Sequence, residues 1–433
     1  MTSERLMRLA ASVKGLGYHP SGWRYPGAAT TADLGFYTQM AHLAERGLFD
    51  LLFVPDRLAV AMYDSPPGAL GRSCAVTDLE PLTLLAALAP VTRHLGLAAT
   101  VSTTFTEPYH IARSFASLDH ISAGRAAWNV VTSTLDEEAH NFGMKGMPAK
   151  AERYARAREA VDVVTRLWKS WEADAFVRDT SSGKYFDPDK VHYLDHQGQF
   201  FQVRGPLNVP RPPQGRPVII QAGASPGGRE LAAETADVVY TVQNTLEAAQ
   251  AYYTDVKNRM AAYGRRPDEL LVMPGILSVV ADTEAEARAK YQAMQENVDP
   301  MLGLAHLSLM VGDLSSYDLD GPVPPIPEDA RVPSRRRVWT NLARERGLTI
   351  RQFFQTIAIA NGHLEAVGTP GQIADVMEEW FTEGAADGFN VMSAVAPASL
   401  DEFTRYVVPE LQRRGLFRTA YERRTLRENL GLN

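Results

Sequence analysis

The sequence predicts an α/β chain folded as a (β/α)8 TIM barrel with insertions. Three observations carry that prediction. Eight short apolar runs recur along the chain, each the length of a strand buried on both faces, and amphipathic helical stretches separate them. Alternation of that kind and number favours a barrel over a doubly wound sheet. No G-x-G-x-x-G turn follows the first strand, which removes the main signature of a dinucleotide fold. No repeat and no linker composition divides the 433 residues. Residues 1–433 therefore read as a single domain, with insertions at about 57–79, 172–216 and 298–349.

Residues 6–17 read as the first strand and the loop it empties into, ahead of Tyr18, His19, Trp23 and Arg24. Helix 31–47 follows, with Thr31 as its expected cap and Gly47 as its stop. Residues 49–54 form the second strand, which Pro55-Asp56 closes. A loop runs to Leu79, then come helix 80–93, strand 97–102, helix 108–122 and strand 126–132. Helix 151–171 carries Tyr154 in its first turns, and the Asp-, Gly-, Tyr- and Pro-rich residues 172–216 interrupt the pattern. Strands 218–222, 237–242 and 271–280 alternate with helices from Pro226 and over 245–262. After the insertion at 298–349, helix 370–383, strand 389–393 and helix 400–414 complete the count.

The most informative stretch is GPLNVPRPPQGRPVIIQAGASPGGR, from Gly205 to Arg229. A proline-rich approach leads into the strand at 218–222, and Gly223 ends it. Ser225 stands at an N-cap position, with Pro226 at the first helical position, where no N–H donor is needed. Free N–H groups, a hydroxyl and the Arg229 guanidinium thus converge on a helix N-terminus, an arrangement that favours phosphate. Gly223-Ala224-Ser225-Pro226-Gly227 also matches the G-x-S-x-G elbow of serine hydrolases. That elbow needs an N–H on the residue after the serine, and Pro226 has none, so the hydrolase reading fails.

Bulk properties narrow the function. The formal charge is −7, the chain is 45% hydrophobic and 22% charged, and no basic stripe with interleaved aromatics points to nucleic acid. One cysteine, Cys74, excludes an internal disulfide and a cysteine-rich metal site. No apolar run reaches the ~18 residues of a membrane span, and Met1 to Arg5 lack a signal-peptide core, so a cytoplasmic location is expected. His192 and His196 lie four apart without a helix pattern or a third ligand, and no metal is expected.

Barrel active sites lie at the C-terminal strand ends, where His19, Asp56, Thr100, Ser102, Asn129, Ser133 and Ser225 fall. With the phosphate turn they imply a pocket for a polar, phosphorylated cofactor. Several blocks then name a family. AWNVVTS at 127–133, AHNFG at 139–143, GYHPSGWR at 17–24, FDLLFVPD at 49–56 and the QAGASP block ending at Pro226 are its markers. Over nearly its whole length the chain resembles the nitrilotriacetate, dibenzothiophene-sulfone and pristinamycin monooxygenases of the bacterial-luciferase-like flavin superfamily.

The resemblance implies a (β/α)8 barrel that uses reduced FMN (FMNH2) and O2 to oxygenate a small organic substrate. A separate NAD(P)H:flavin reductase supplies the FMNH2, and the chain assembles as a homodimer or homotetramer. Its flavin residues carry over as Asp56, Thr100 with Ser102, Asn129, Tyr154 and Ser225. Ser225 and Tyr154 suit the phosphate; Asp56, Thr100 and Asn129 suit the polar ring edge or ribityl chain. Lys150 stands where the family commonly has histidine, four residues before the tyrosine. It keeps a donor for phosphate but loses the ring. His19 is the catalytic candidate, because the family has a histidine in that strand-end loop. The alternatives are an FMN-dependent lyase or F420-type oxidoreductase on the same barrel, and a non-catalytic flavin-binding protein.

Overall fold

Strands that are apolar on both faces have to be covered on both faces, and a closed parallel barrel wrapped in helices does so. The computed structural model describes residues 5–60, 65–325, 339, 343–360 and 362–432. Its strands, in chain order, are β1 Arg8–Ser12, β2 Leu51–Val54, β3 Gly96–Ser102, β4 Ala126–Val131, β5 His196–Gln197 and β6 Gln202–Val203. They continue with β7 Val218–Gln221, β8 Val238–Thr241, β9 Leu271–Val280, β10 Leu364–Gly368 and β11 Gly388–Met392. Parallel pairing runs β1-β2-β3-β4-β7-β8-β9-β11 and returns to β1, which closes eight strands into a barrel. These are the eight strands expected from the sequence. β5 and β6 form a small hairpin in the 172–216 insertion.

Besides that hairpin, one strand was not foreseen, β10. β9 is ten residues long and pairs with β8 over Leu271–Pro274, then with β10 over Ile276–Val280 along the same edge. β10 thus takes up the edge of β9 where β8 leaves off. Two further helices, Pro300–Met310 and Ile350–Ala358, pack together in a cluster of their own. The first falls inside the expected insertion at 298–349, and the second just beyond it. Residues 61–64, 326–338 and 340–342, parts of two expected insertions, lie outside the described residues.

Period-two alternation sorts the strand residues into two layers. Leu9, Ala11, Leu52, Leu97, Ala99, Trp128 and Ile219 face the helices. Ala10, Leu51, Ala98, Ala127, Val218 and Val238 face inward with Leu426, Leu430 and Leu432. The C-terminal helix Leu426–Leu430 plugs the bottom: a Cβ on Gly96, the first residue of β3, would stand 2.6 Å from Leu426 Cδ1. Moving up the inner face, the same alternation reaches Ser12, Thr100 and Asn129. The barrel is therefore apolar at its base and polar at its mouth.

Helix boundaries shift modestly from expectation. The first helix is Leu34–Arg46, capped by Asp33, whose carboxylate accepts from Phe36 N, rather than by Thr31. Gly47 does end it. The helix carrying Tyr154 is Lys150–Trp168. Among the described residues no helix is long and apolar enough to cross a membrane. Nor is any group of three or more His, Cys, Asp or Glu placed to hold a metal ion.

Candidate active site

At the mouth, the ends of β2, β4 and β7 and the start of the Lys150–Trp168 helix enclose a cavity of about 300 Å³. Asp56, Ser133, Glu138, Tyr154, Gln221 and Gly223 are among its walls. A larger cavity, about 700 Å³, lies beside the barrel between helices Lys150–Trp168 and Pro226–Thr235. Its walls include the Arg158–Glu234 ion pair, and it does not reach the strand ends where barrel chemistry takes place. The smaller cavity is the functional candidate.

The expected turn is present. Ser225 caps helix Pro226–Thr235, its Oγ accepting from Gly228 N at 3.3 Å and lying 3.1 Å from the Tyr154 hydroxyl. Two residues sequence-distant by a whole insertion thus meet at one helix N-terminus. The turn needs its glycines: a Cβ on Gly228 would stand 2.8 Å from Gly223 Cα and 3.1 Å from the Tyr154 hydroxyl. Lys150 lies one helical turn before Tyr154, on the same face, exposed and with no partner among the described residues.

Arg229 departs from expectation. Its guanidinium donates to Asp255 Oδ2 at 2.8 Å and to Ala224 O at 3.0 Å, and lies over the Tyr252 ring. An arginine so engaged braces the turn from behind and is not available to an anion in front of it. Sequence spacing placed the residue at the helix start, but only the fold shows which way the side chain leaves.

Deeper in the mouth, Thr100 Oγ1 donates to Val54 O at 2.9 Å and accepts from Asn129 Nδ2 at 3.0 Å. That fixes Asn129 and leaves its buried Oδ1 with no hydrogen-bond partner; Gln221 Nε2 is likewise buried and unpartnered. Buried polar atoms without partners are costly in a finished core and ordinary where a ligand completes them. Ser102 is also buried, accepting from Ser133 Oγ at 3.0 Å and Thr104 N at 3.3 Å.

Glu138 was missed in the sequence. Its carboxylate accepts from Leu58 N, Thr134 N and Leu135 N, each at 3.1 Å, and from Ser133 Oγ at 3.3 Å. It ties the loop after β2 to the end of β4. Ser133 there has φ +50°, the left-handed region, held by Arg153 donating to its carbonyl. The available signal was a glutamate at the third position of helix Asp136–Asn141, the acidic half of a capping box, obscured by leucine at the cap.

Two titratable groups are shifted. Burial raises the Asp56 carboxyl to about 6, opposed by a hydrogen bond from Arg57 N–H. His19 is moved the other way, to about 4, again by burial. Its Nε2 lies 2.8 Å from the Met294 carbonyl, which can only accept, so that nitrogen carries the proton; Nδ1 accepts from Ser21 N at 3.1 Å. With both nitrogens bound to backbone and no wall of the cavity formed by it, His19 has a structural place rather than the catalytic one expected.

The barrel thus carries a serine-capped helix N-terminus at its mouth, with unpartnered polar atoms of Asn129 and Gln221 among its buried groups. The luciferase-like monooxygenase family profile matches residues 16–387. The chain belongs to that family. This luciferase-like monooxygenase is 50% identical to nitrilotriacetate monooxygenase component A of Aminobacter aminovorans, covering 100% of this chain and 98% of the relative. It is 46% identical to the N-acetyl-S-(2-succino)cysteine monooxygenase of Bacillus subtilis over the same shares of the two chains. A riboflavin lyase solved with modified FMN and riboflavin has the same fold, with TM-score 0.84 and 31% identity over 98% of this chain and 96% of that one. The fold and family anticipated from the sequence are therefore correct, and the enzyme is a monooxygenase.

Proposed function

We propose that this luciferase-like monooxygenase is the oxygenating half of a two-component system. It takes reduced FMN from a separate NAD(P)H-dependent flavin reductase and uses O2 to oxygenate a small organic substrate. The observation that carries the reading is the meeting of Ser225 with Tyr154, a wall residue of the mouth cavity, at the N-terminus of helix Pro226–Thr235. Two hydroxyls at a helix N-terminus form a phosphate site without any bound metal. The name of the 50% identical relative, a "component A", supports a separate partner, and the lyase solved with modified FMN supports the cofactor.

The residues present fit FMN. Tyr154 and Ser225 hold the phosphate, and Lys150 adds a charge from the solvent side. Asn129 Oδ1 and Gln221 Nε2, both buried without partners, offer an acceptor and a donor to the polar edge of the ring or the ribityl chain. Thr100 positions Asn129 rather than bonding the ligand first, since its hydroxyl is already shared between Val54 O and Asn129 Nδ2. Asp56, whose carboxyl burial raises to about 6, is an acceptor for the polar edge of the cofactor. Reduced FMN, when bound, supplies the two electrons that divide O2 between substrate and water. The protein's part would be to hold the cofactor and exclude water, and Phe53 and Tyr240, in contact with each other inside the barrel, would supply apolar surface for that.

The test is oxygen uptake. The chain with chemically reduced FMN, or with an unrelated flavin reductase and NADH, should consume O2 and oxygenate the substrate. With NADH and oxidised FMN alone it should remain at background. Rapid NADH oxidation by the pure chain would remove it from the two-component class.

A further inference from the structure

Helix Asp136–Asn141 is only 6 residues long, yet its side chains fasten segments that wall the mouth cavity or lead to it. Glu138 and Asn141 are three positions apart and so share one helix face. Both reach the same residue of the loop after β2. Glu138 Oε1 accepts from Leu58 N at 3.1 Å, and Asn141 Nδ2 donates to Leu58 O at 2.9 Å. The donor and the acceptor of a single residue are thus gripped from one helix, as a paired strand would grip them.

Asp56 and Arg57, the two residues before Leu58, are walls of the cavity. Between Val54, the last residue of β2, and Leu58, the segment that carries them is held at both ends. On the other side, Glu138 Oε2 accepts from Thr134 N and Leu135 N, and Oε1 also accepts from Ser133 Oγ. Ser133, Thr134 and Leu135 are cavity walls too. Asp136 Oδ1 accepts from Met147 N at 2.9 Å, on the approach to the helix that carries Tyr154. Helix capping explains the bonds from Thr134 N and Leu135 N; it does not explain the grip on Leu58. Glu138 is buried and Asn141 exposed, so the two ends of the grip can be probed separately.

We propose that Glu138 and Asn141 are positioning residues, whose clasp on Leu58 sets Asp56 and Arg57 on the wall of the cofactor pocket. The clasp stands on its hydrogen bonds; its role toward FMN rests on the monooxygenase reading of the mouth cavity. Glu138→Gln isolates it. Glutamine is close in shape but has one acceptor oxygen, so its NH2 has to face one of the two sets of donors. Facing Thr134 N and Leu135 N, it meets two N–H groups. Facing Leu58 and Ser133 it meets one, because the Ser133 hydroxyl can turn and accept. The second arrangement costs less, so the substitution keeps the helix start and releases the Leu58 N–H.

The experiment pairs hydrogen exchange of the flavin-free chain, read by mass spectrometry on fragments covering residues 55–60, with fluorescence titration by FMN. Glu138→Gln should speed exchange at the Leu58 amide by at least about tenfold and weaken FMN by about fivefold or more. In a chain already carrying Asp56→Ala with Arg57→Ala, the same substitution should change FMN affinity by less than about twofold, since the residues it places are gone. Asn141→Ala, at an exposed position, should move exchange and affinity the same way by about two- to threefold, and it carries the test if Glu138→Gln does not fold. A capping role alone would lower thermal stability and leave Leu58 exchange and FMN affinity as in the parent. The proposal is overturned if folded Glu138→Gln leaves either quantity unchanged, or if its FMN loss persists in full without Asp56 and Arg57. A parent that does not bind FMN would sink the monooxygenase reading instead, and the exchange result would still decide the clasp.

Discussion

His19→Gln separates a structural histidine from a catalytic one. In the parent, Nε2 donates to Met294 O at 2.8 Å and Nδ1 accepts from Ser21 N at 3.1 Å, both buried. Glutamine keeps a donor within reach of Met294 but leaves the Ser21 N–H unsatisfied, at a cost of roughly 1–3 kcal/mol at pH 7. The pH dependence is more diagnostic. The folded-state value is lowered from 6.5 to about 4, so the folded chain binds fewer protons than the unfolded one in that window. The stability His19 contributes is present above 6.5 and lost as pH falls toward 4, about 2 kcal/mol of it between pH 7 and pH 5. The variant lacks that loss. Urea denaturation of both proteins at pH 7, 6 and 5, followed by tryptophan fluorescence, should show the gap between them narrowing by about 2 kcal/mol as pH falls. Asp56 and Asp119, both raised to about 6, titrate in the same range but equally in the two proteins, so they cancel. A gap that stays constant from pH 7 to 5 would refute the buried neutral state. A shifted pH–rate profile in folded variant would restore a catalytic role.

Ser225→Ala removes the cap of helix Pro226–Thr235 and one phosphate contact; thermal or urea unfolding should show a loss of about 0.5–2 kcal/mol, and FMN should bind more weakly while riboflavin does not. Lys150→Ala should cost roughly 0.5–1 kcal/mol in FMN affinity by fluorescence titration, fading with salt and absent for riboflavin, because the residue is exposed. Asp56→Asn should raise stability above pH 6 by about 1 kcal/mol, after discounting for partial exposure, and not below pH 4, because a raised carboxyl gives stability that is lost as pH rises through its folded value; a variant without any gain at pH 8 would contradict that. Gly275→Ala would place a Cβ 2.1 Å from His363 Nδ1, and overpacking of about 1–3 kcal/mol should appear in the same denaturation assay.

Much of the barrel is legible because its strands need only one property, apolarity on both faces, and Val218–Gln221 or Leu271–Val280 state it without ambiguity. β10 escapes because Glu365 breaks the run. In the fold that carboxyl accepts from the Tyr291 hydroxyl at 2.6 Å, a long-range partner that no local pattern announces. The plug at Leu426–Leu430 escapes for a related reason: five residues near the chain end look like any short helix until Gly96 gives them a seat. At the site, residue types at strand ends and the glycine-serine turn were readable. Side-chain direction was not. Arg229 and Lys150 both sit at helix starts, yet Asp255 captures one and solvent the other. Glu138 depends on which loops meet over the mouth, and spacing along the chain carries no such information.

The measurement closest to the central claim is a paired titration of the purified chain with FMN and with riboflavin, in both redox states. If Tyr154, Ser225 and the N-terminus of helix Pro226–Thr235 hold a phosphate, FMN should bind at least about tenfold more tightly than riboflavin, and Tyr154→Phe with Ser225→Ala should erase most of that difference. Equal affinity for the two flavins in the parent, or a preference for FMN that survives in the double variant, would contradict the phosphate site and the function built on it.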